Sequence, residues 1–423
     1  MKAQRLGEPG AAMALLAARL RALRRRPHWA TGERLRFYSI GALVCYVLWL
    51  AIYFYKAIWN PHGYMSPLAL DFLPFWSASH LALHGQAVDA YNLAILEKLE
   101  SATIQHSVGI LPWLYPPTFL LFVLPFALVP WKIAAAAFLC ATYLLFMKAM
   151  HRIVPVREAV FVAAAFPGAA LAIAAGQNGL LTASLIAFGL SLLPRRPVLA
   201  GLCLGLLSMK PQLAVLVPLA LLCSRSWRTL ASFSAISLSM LAASVLAFGF
   251  GTLEAFLANM NMAAGFVETG QAALARIPSM FSMVKLAHGP TTLAYAVQAA
   301  SALAAAAAVC YAWLRHASHA LRAATLVCAS LMVSPYLYDY DLAWYGVLIA
   351  WMCRHGLEQG WRAGEREWLV LLWLLPFAGI LVVTRIHVQF MPLVSAATLA
   401  WLVRRIALDR CEFRRWGDLL GQR

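Results

Sequence analysis

Apolar blocks close to the roughly 20 residues that one helix needs to cross a hydrocarbon layer follow one another along almost the whole chain, with short arginine-rich clusters between them. In lipid such blocks can satisfy their backbone only as helices or in a closed barrel, and their length fits helices. Of 423 residues, 62% are hydrophobic and 12% charged, against roughly one quarter charged in an average soluble domain. That composition excludes a soluble core. A net charge of +17 would suit nucleic acid if it formed one patch. Dispersed between apolar blocks, it follows the positive-inside pattern of cytoplasmic loops. The expected fold is an all-α polytopic membrane protein, surrounded by membrane lipids and without a nucleic-acid partner.

The charges also predict the topology. Residues 1–36 carry Arg19, Arg21, Arg24, Arg25, Arg26, Arg34 and Arg36 and precede an apolar run from 37 to 58 that lacks a small-residue cleavage site, so they read as a cytoplasmic tail before an uncleaved signal anchor. Residues 59–115 are poor in basic residues and form a first external loop. Residues 116–130 contain Pro116, Pro117, Pro125 and Pro130, which suits a re-entrant or interfacial element better than a crossing. With that stretch uncounted, the basic clusters around Arg152, Arg195, Arg228, Arg322, Arg354 and Arg404 all fall inside, and about twelve crossings result, with both termini cytoplasmic. The transmembrane domain then spans 37–403, with a second external loop at 251–290 and a cytoplasmic tail at 404–423. Between residues 198 and 223 a hairpin turns at Lys210-Pro211-Gln212. Its arms of about 12 residues reach only ~18 Å, so its tip lies within the outer half of the layer.

Ionisable groups kept in or near the hydrocarbon cost about 2.5 to 3.5 kcal/mol each on insertion scales, which makes them candidates for function. Here they gather on the extracytoplasmic side. Asp71 stands in Leu70-Asp71-Phe72-Leu73-Pro74-Phe75-Trp76, whose apolar and aromatic residues seat a carboxylate at the membrane face. There it serves as general base for an acceptor hydroxyl, or as an N-cap or paired loop acid. Lys210, at its proline break, reads as a cation for a lipid-linked phosphate or as a snorkelling anchor. Arg276 and Lys285 in the second loop are further phosphate contacts or solvated loop charges, and Arg385 is an anion contact or an interface anchor. Gln177 and Asn178, in the Gly176–Gly179 break, and Gln212 beside Lys210 offer amides to sugar hydroxyls. Tyr336, Tyr338 and Tyr340 alternate with Asp339 and Asp341, a mixture found at sugar sites and in aromatic belts alike. The eight cysteines show no metal spacing, and His80 and His84 lack an acidic third ligand, so no metal site and no cofactor are expected.

The ordered set of Asp71, Tyr115-Pro116-Pro117, Gly176-Gln177-Asn178, Lys210-Pro211-Gln212 and Ser334-Pro335-Tyr336 with Asp339 resembles glycosyltransferase family 87. That family belongs to the GT-C superfamily of multispanning enzymes that use polyprenyl-phosphate sugars, typically mannose, outside the cytoplasmic membrane. The resemblance runs from about residue 37 to 403 and implies a GT-C-like bundle. It puts Asp71 in the position of the catalytic aspartate, makes Lys210 a candidate for the donor phosphate, and implies an inverting transfer to a lipid or glycan acceptor. Gln177 stands where related enzymes often carry a second acid, which speaks against metal dependence. A transporter or lipid flippase competes with this reading, since it too uses charges at broken helices, as does a non-catalytic assembly subunit. The one-sided polar constellation and the long first loop fit a transporter less well.

Overall fold

The computed structural model describes residues 28–59, 68–104, 109, 111–315 and 317–419; most of the basic tail lies outside them. Among the described residues every regular element is helical and there is no strand. The first apolar run forms α1 (Gly32–Trp59), and the segment after it contains α2 (Leu73–Leu83) and α3 (Leu93–Ile104). The proline-rich stretch yields only α4 (Pro117–Val123) and a 3-10 turn, Leu124–Leu128, a short broken element of the kind its prolines predict. α5 (Trp131–Ile153) is followed by α6 (Arg157–Ala164) and α7 (Pro167–Ala175), bent by 42° at their junction, where Pro167 contributes no amide hydrogen to the ladder. Four short helices come next: α8 (Gly179–Leu192), α9 (Pro197–Gly205), α10 (Pro211–Ala214) and α11 (Leu216–Cys223). Then follow α12 (Trp227–Phe248), α13 (Phe250–Glu268), α14 (Met280–Leu286), α15 (Thr291–Leu314), α16 (His319–Val333), α17 (Trp344–Gln359), α18 (Glu365–Ile386) and α19 (Met391–Leu419).

Among the described residues six helices, α1, α5, α12, α15, α18 and α19, are long and apolar enough to cross a membrane, or seven spans if the bent pair counts as one. The chain is thus a multi-pass helical membrane protein. The sequence expectation of about twelve crossings relies in addition on shorter pieces. α8, for example, has 14 residues and reaches only ~21 Å. Burial explains the difference in length. α8 and α16 are buried on nearly every side, whereas only 6% of the apolar windows of α1 and α12 is buried. Helices that are hydrophobic all round and short form the centre, and longer lipid-facing helices surround them. Residues 251–290 are mostly helix, α13 and α14, and Val267, Ile277 and Phe281 form a small core there with Ala294 of α15. At the far end of the bundle Arg405 joins Glu365 at 3.3 Å and Asp409 at 3.4 Å, and His355 meets Asp409 at 3.2 Å, tying α17, α18 and α19 together.

Glu100, on the inner face of α3, is fully buried, and neither carboxylate oxygen has a hydrogen-bond partner among the described residues. Burial, aided by nearby Glu97, pushes its pKa up to about 8. An acid whose folded pKa exceeds its unfolded value costs stability progressively as pH rises between the two. Glu100→Gln is therefore expected to stabilise the protein at pH 8, on the order of 1 to 3 kcal/mol, and to change little near pH 4. Thermal unfolding in detergent at the two pH values checks this; an equal gain at both would remove ionisation from the explanation.

Candidate active site

Asp71 is presented by the 3-10 turn Leu70–Phe72. Before it Ala69, at φ 60°, donates its amide to Ala174 O at 2.9 Å, docking the turn on the end of α7. That approach requires Gly176, itself at φ +83°, because a Cβ there would lie 2.6 Å from Ala69 O. On the other side of the turn, the fully buried Phe72 packs against Phe126 and Phe138 at 5.2 and 5.6 Å between ring centres. The aromatic residues that flank Asp71 in sequence thus fix its turn.

Arg276 bridges two carboxylates. Its Nη2 donates to Asp71 Oδ2 at 3.2 Å, and its Nε and Nη2 donate to Asp339 Oδ2 and Oδ1 at 2.9 and 3.2 Å. The guanidinium is therefore forked on Asp339 and singly bonded to Asp71. Its side chain is 37% exposed and that of Asp71 21%, so this is the accessible part of the network. Burial raises the pKa of Asp71 above the ordinary carboxylate value, against the opposing pull of Arg276. Arg276 stays charged: burial works against it, but its bonds to Asp339 and the charges of both acids outweigh that.

A second cluster lies deeper. Lys210 Nζ donates to Asp341 Oδ1 at 2.6 Å and to Asn178 Oδ1 at 3.3 Å, and the Lys210 and Asp341 side chains are 3% and 1% exposed. Tyr115 Oη donates to Gln177 Oε1 at 2.7 Å. Gly179 lets the 339–343 turn come close, since a Cβ there would collide with the Tyr340 carbonyl. Two tyrosines connect the clusters. The rings of Tyr338 and Tyr340 stack 5.4 Å apart and 4° from parallel, with Arg276 5.9 Å from the Tyr338 ring and Lys210 4.6 Å from the Tyr340 ring. The result is a cation–ring–ring–cation stack.

Of the residues marked in the sequence, Asp71, Arg276 and Asp339 meet in one cluster, and Lys210, Asn178 and Gln177 in the other. Gln212 is half-buried in the turn after Lys210 and makes none of these bonds. Tyr336 turns away to Tyr295, 3.0 Å off, which donates to Glu268 at 2.6 Å. Lys285 binds Thr291 at 3.0 Å, and Arg385 is exposed at the end of α18. Asp341, which the sequence offers with Asp339 as a candidate charge among the tyrosines, is the counter-ion of Lys210. Tyr115 was marked only within a motif. Among the described residues no three metal-ligating side chains converge. A cavity of about 760 Å³ is lined by residues such as Trp29, Met150, Trp361 and Arg366 and by none of the residues of either cluster.

A buried acid–base network inside a multi-pass bundle defines a membrane protein that either does chemistry among its helices or moves a solute past them. The chain belongs to glycosyltransferase family 87: the family model matches residues 113–335, just over half of it. It is therefore a glycosyltransferase, with a sugar donor and an acceptor as substrates. No curated protein and no solved structure matches it. The matched region includes Tyr115, Gln177, Asn178, Lys210 and Arg276, while Asp71, Asp339 and Asp341 lie on either side of it.

Removing one partner of a buried ion pair strands the other charge, at a cost of about 3 to 5 kcal/mol, whereas replacing both by apolar groups is often neutral. Lys210→Met is accordingly expected to lower the yield of monodisperse protein sharply, and Lys210→Met/Asp341→Leu to recover most of it. Size-exclusion profiles of the three proteins after heating decide; a double variant as unstable as the single one would contradict the pairing.

Proposed function

We propose that the protein transfers a hexose, with mannose the sugar the family resemblance favours, from a polyprenyl-phosphate donor to an envelope lipid or glycan acceptor on the extracytoplasmic face of the cytoplasmic membrane, with inversion. The observation that carries this reading is the Arg276 bridge between Asp71 and Asp339. A guanidinium held beside a carboxylate supplies both charges that the reaction needs: one for the leaving phosphate and one for the acceptor proton. In this reading Asp71 takes the proton of the acceptor hydroxyl. The oxygen forms its bond to the anomeric carbon from the side opposite the phosphate, and the carbon–oxygen bond to phosphate breaks with its electron pair leaving on polyprenyl phosphate. Arg276 stabilises that developing charge while Asp339 keeps its hold on the guanidinium.

The same geometry divides the cations that the sequence puts forward for the phosphate. Arg276 is accessible and adjoins the base, which favours it. Lys210 is buried against Asp341, so its part here is to hold the Tyr340 turn, and Arg385 stands outside both clusters. Gln177 and Asn178 are the amides this reading offers to sugar hydroxyls; the Tyr338 and Tyr340 rings, stacked on each other between Lys210 and Arg276, serve to space the two cations. The catalytic unit in this reading is the transmembrane domain 37–403, a GT-C-like bundle with both tails in the cytoplasm. The Nη2 bond to Asp71 is the weaker arm of the bridge, so a donor phosphate that draws Nη2 away frees the carboxylate to act as base only once donor is bound.

Transfer of radiolabelled mannose from polyprenyl-phosphate mannose to a membrane-lipid extract tests the proposal with purified protein. Wild type should transfer. Asp71→Asn should lose about 10²- to 10⁴-fold and Arg276→Gln about 10²- to 10³-fold. Because the base works ionised and its pKa is raised, kcat/KM should rise with pH through a value above the ordinary carboxylate range. Loss of Arg276 should move that limb to higher pH, since burial would then act unopposed. Full activity in Asp71→Asn would remove it as the base.

A further inference from the structure

Gln389 lies in the short connection between α18 and α19, outside the matched family region and outside every sequence motif. It is nonetheless almost fully buried. Its Nε2 donates to Ala275 O at 3.2 Å and to Ile277 O at 3.2 Å, the two carbonyls that flank Arg276. The orientation of the carboxamide follows from these partners: two carbonyl oxygens require the nitrogen, and a flipped amide would set three acceptors against one another. Its own Oε1 has no hydrogen-bond partner among the described residues. An amide left half-satisfied in a buried place is costly, so its donors are the part the site uses.

The peptide it grips is otherwise lightly held. Arg276 sits on a three-residue 3-10 turn, Leu274–Arg276, whose amides reach only local carbonyls, Arg276 N to Ala273 O at 2.8 Å and Ile277 N to Leu274 O at 3.1 Å. Ile277 is anchored in the small core it shares with Val267, Phe281 and Ala294, and Ile277 O also accepts from Ser279 N at 2.9 Å. A guanidinium that must span Asp71 and Asp339 within a few tenths of an ångström needs a backbone that does not drift. We infer that Gln389 is a positioning residue for Arg276: its carboxamide straps the Ala275–Ile277 backbone to the last helix pair and so sets the guanidinium against the two carboxylates. The inference rests on the proposed role of Arg276 in the transfer.

Two measurements on full-length protein in detergent test it. First, the rate at which phenylglyoxal modifies Arg276, followed by peptide mass spectrometry, should rise several-fold in Gln389→Met, which matches the side chain in length and has no donor. Gln389→Asn, which keeps the amide but falls one methylene short, should be intermediate and serves if the Met variant folds poorly. An unchanged rate in both overturns the inference, whatever the transfer assay gives. Second, in the transfer assay Gln389→Met should lower kcat/KM on the order of 10-fold. It should also shift the acid limb in the same direction as Arg276→Gln, and it should add nothing in the Arg276→Gln background. The charged groups facing Asp71 are Arg276 and Asp339, and the phenols of Tyr115, Tyr338 and Tyr340 ionise above their usual range, so the limb reports the Asp71 environment. Independent, additive losses without a pH shift would overturn the inference. No transfer by wild type, with the phenylglyoxal result as expected, would instead sink the proposed reaction and leave the strap standing.

Discussion

A charge taken out of water must find its counter-charge within the same bundle, and the Lys210–Asp341 pair is where this chain meets that demand. The two residues stand 131 positions apart, one at a proline-broken helix and the other on a 3-10 turn. Each charge at its break is neutralised by the other, at 2.6 Å. The pair also fixes the height of the Tyr338–Tyr340 stack, because Lys210 lies over one face of it and Arg276 over the other. The accessible cluster is thus built outward from a buried one.

The division of labour between the two cations follows from their surroundings. An ammonium buried almost completely against an aspartate has little left to offer a ligand, whereas a guanidinium more than a third exposed, with a single bond to Asp71, can exchange a partner at small cost. Arginine suits that position for a second reason: its Nε keeps the shorter bond to Asp339 while Nη2, which bonds both acids, changes partner. The absence of side chains at Gly176 and Gly179 lets the turns that carry Asp71 and Asp339 dock on the same helix break.

Much of this was legible in the sequence because lipid punishes exceptions. Prolines at 116, 117, 125 and 130 announced a short element, and Asp71, Lys210, Gln177 and Asn178 stood out as polar residues where apolar ones were due. The pairing was not legible. Asp339 and Asp341 look alike two residues apart, and only the 3-10 turn decides that one faces Arg276 and the other Lys210. In the sequence Arg276 and Arg385 are two isolated arginines outside the basic clusters, and long-range packing alone brings the first to the carboxylates. Gln389 carries no local signal, since one amide in a short connection resembles any solvated loop residue. The number of full-length spans escaped for a related reason. A helix screened by other helices need not match the thickness of the layer, so apolar length counts buried helices and crossing helices alike.

The parts of the accessible cluster come from widely separated stretches of chain: Asp71 near the start, Arg276 in the middle, Asp339 later, and the strap at Gln389 almost at the end. A ribosome delivers them in that order. Until the last connection has been made and threaded to the correct side, the guanidinium lacks the grip on its backbone that the finished fold provides. A half-synthesised or wrongly threaded chain therefore holds its arginine less firmly beside the acids, and the finished grip arrives only with the last helix pair.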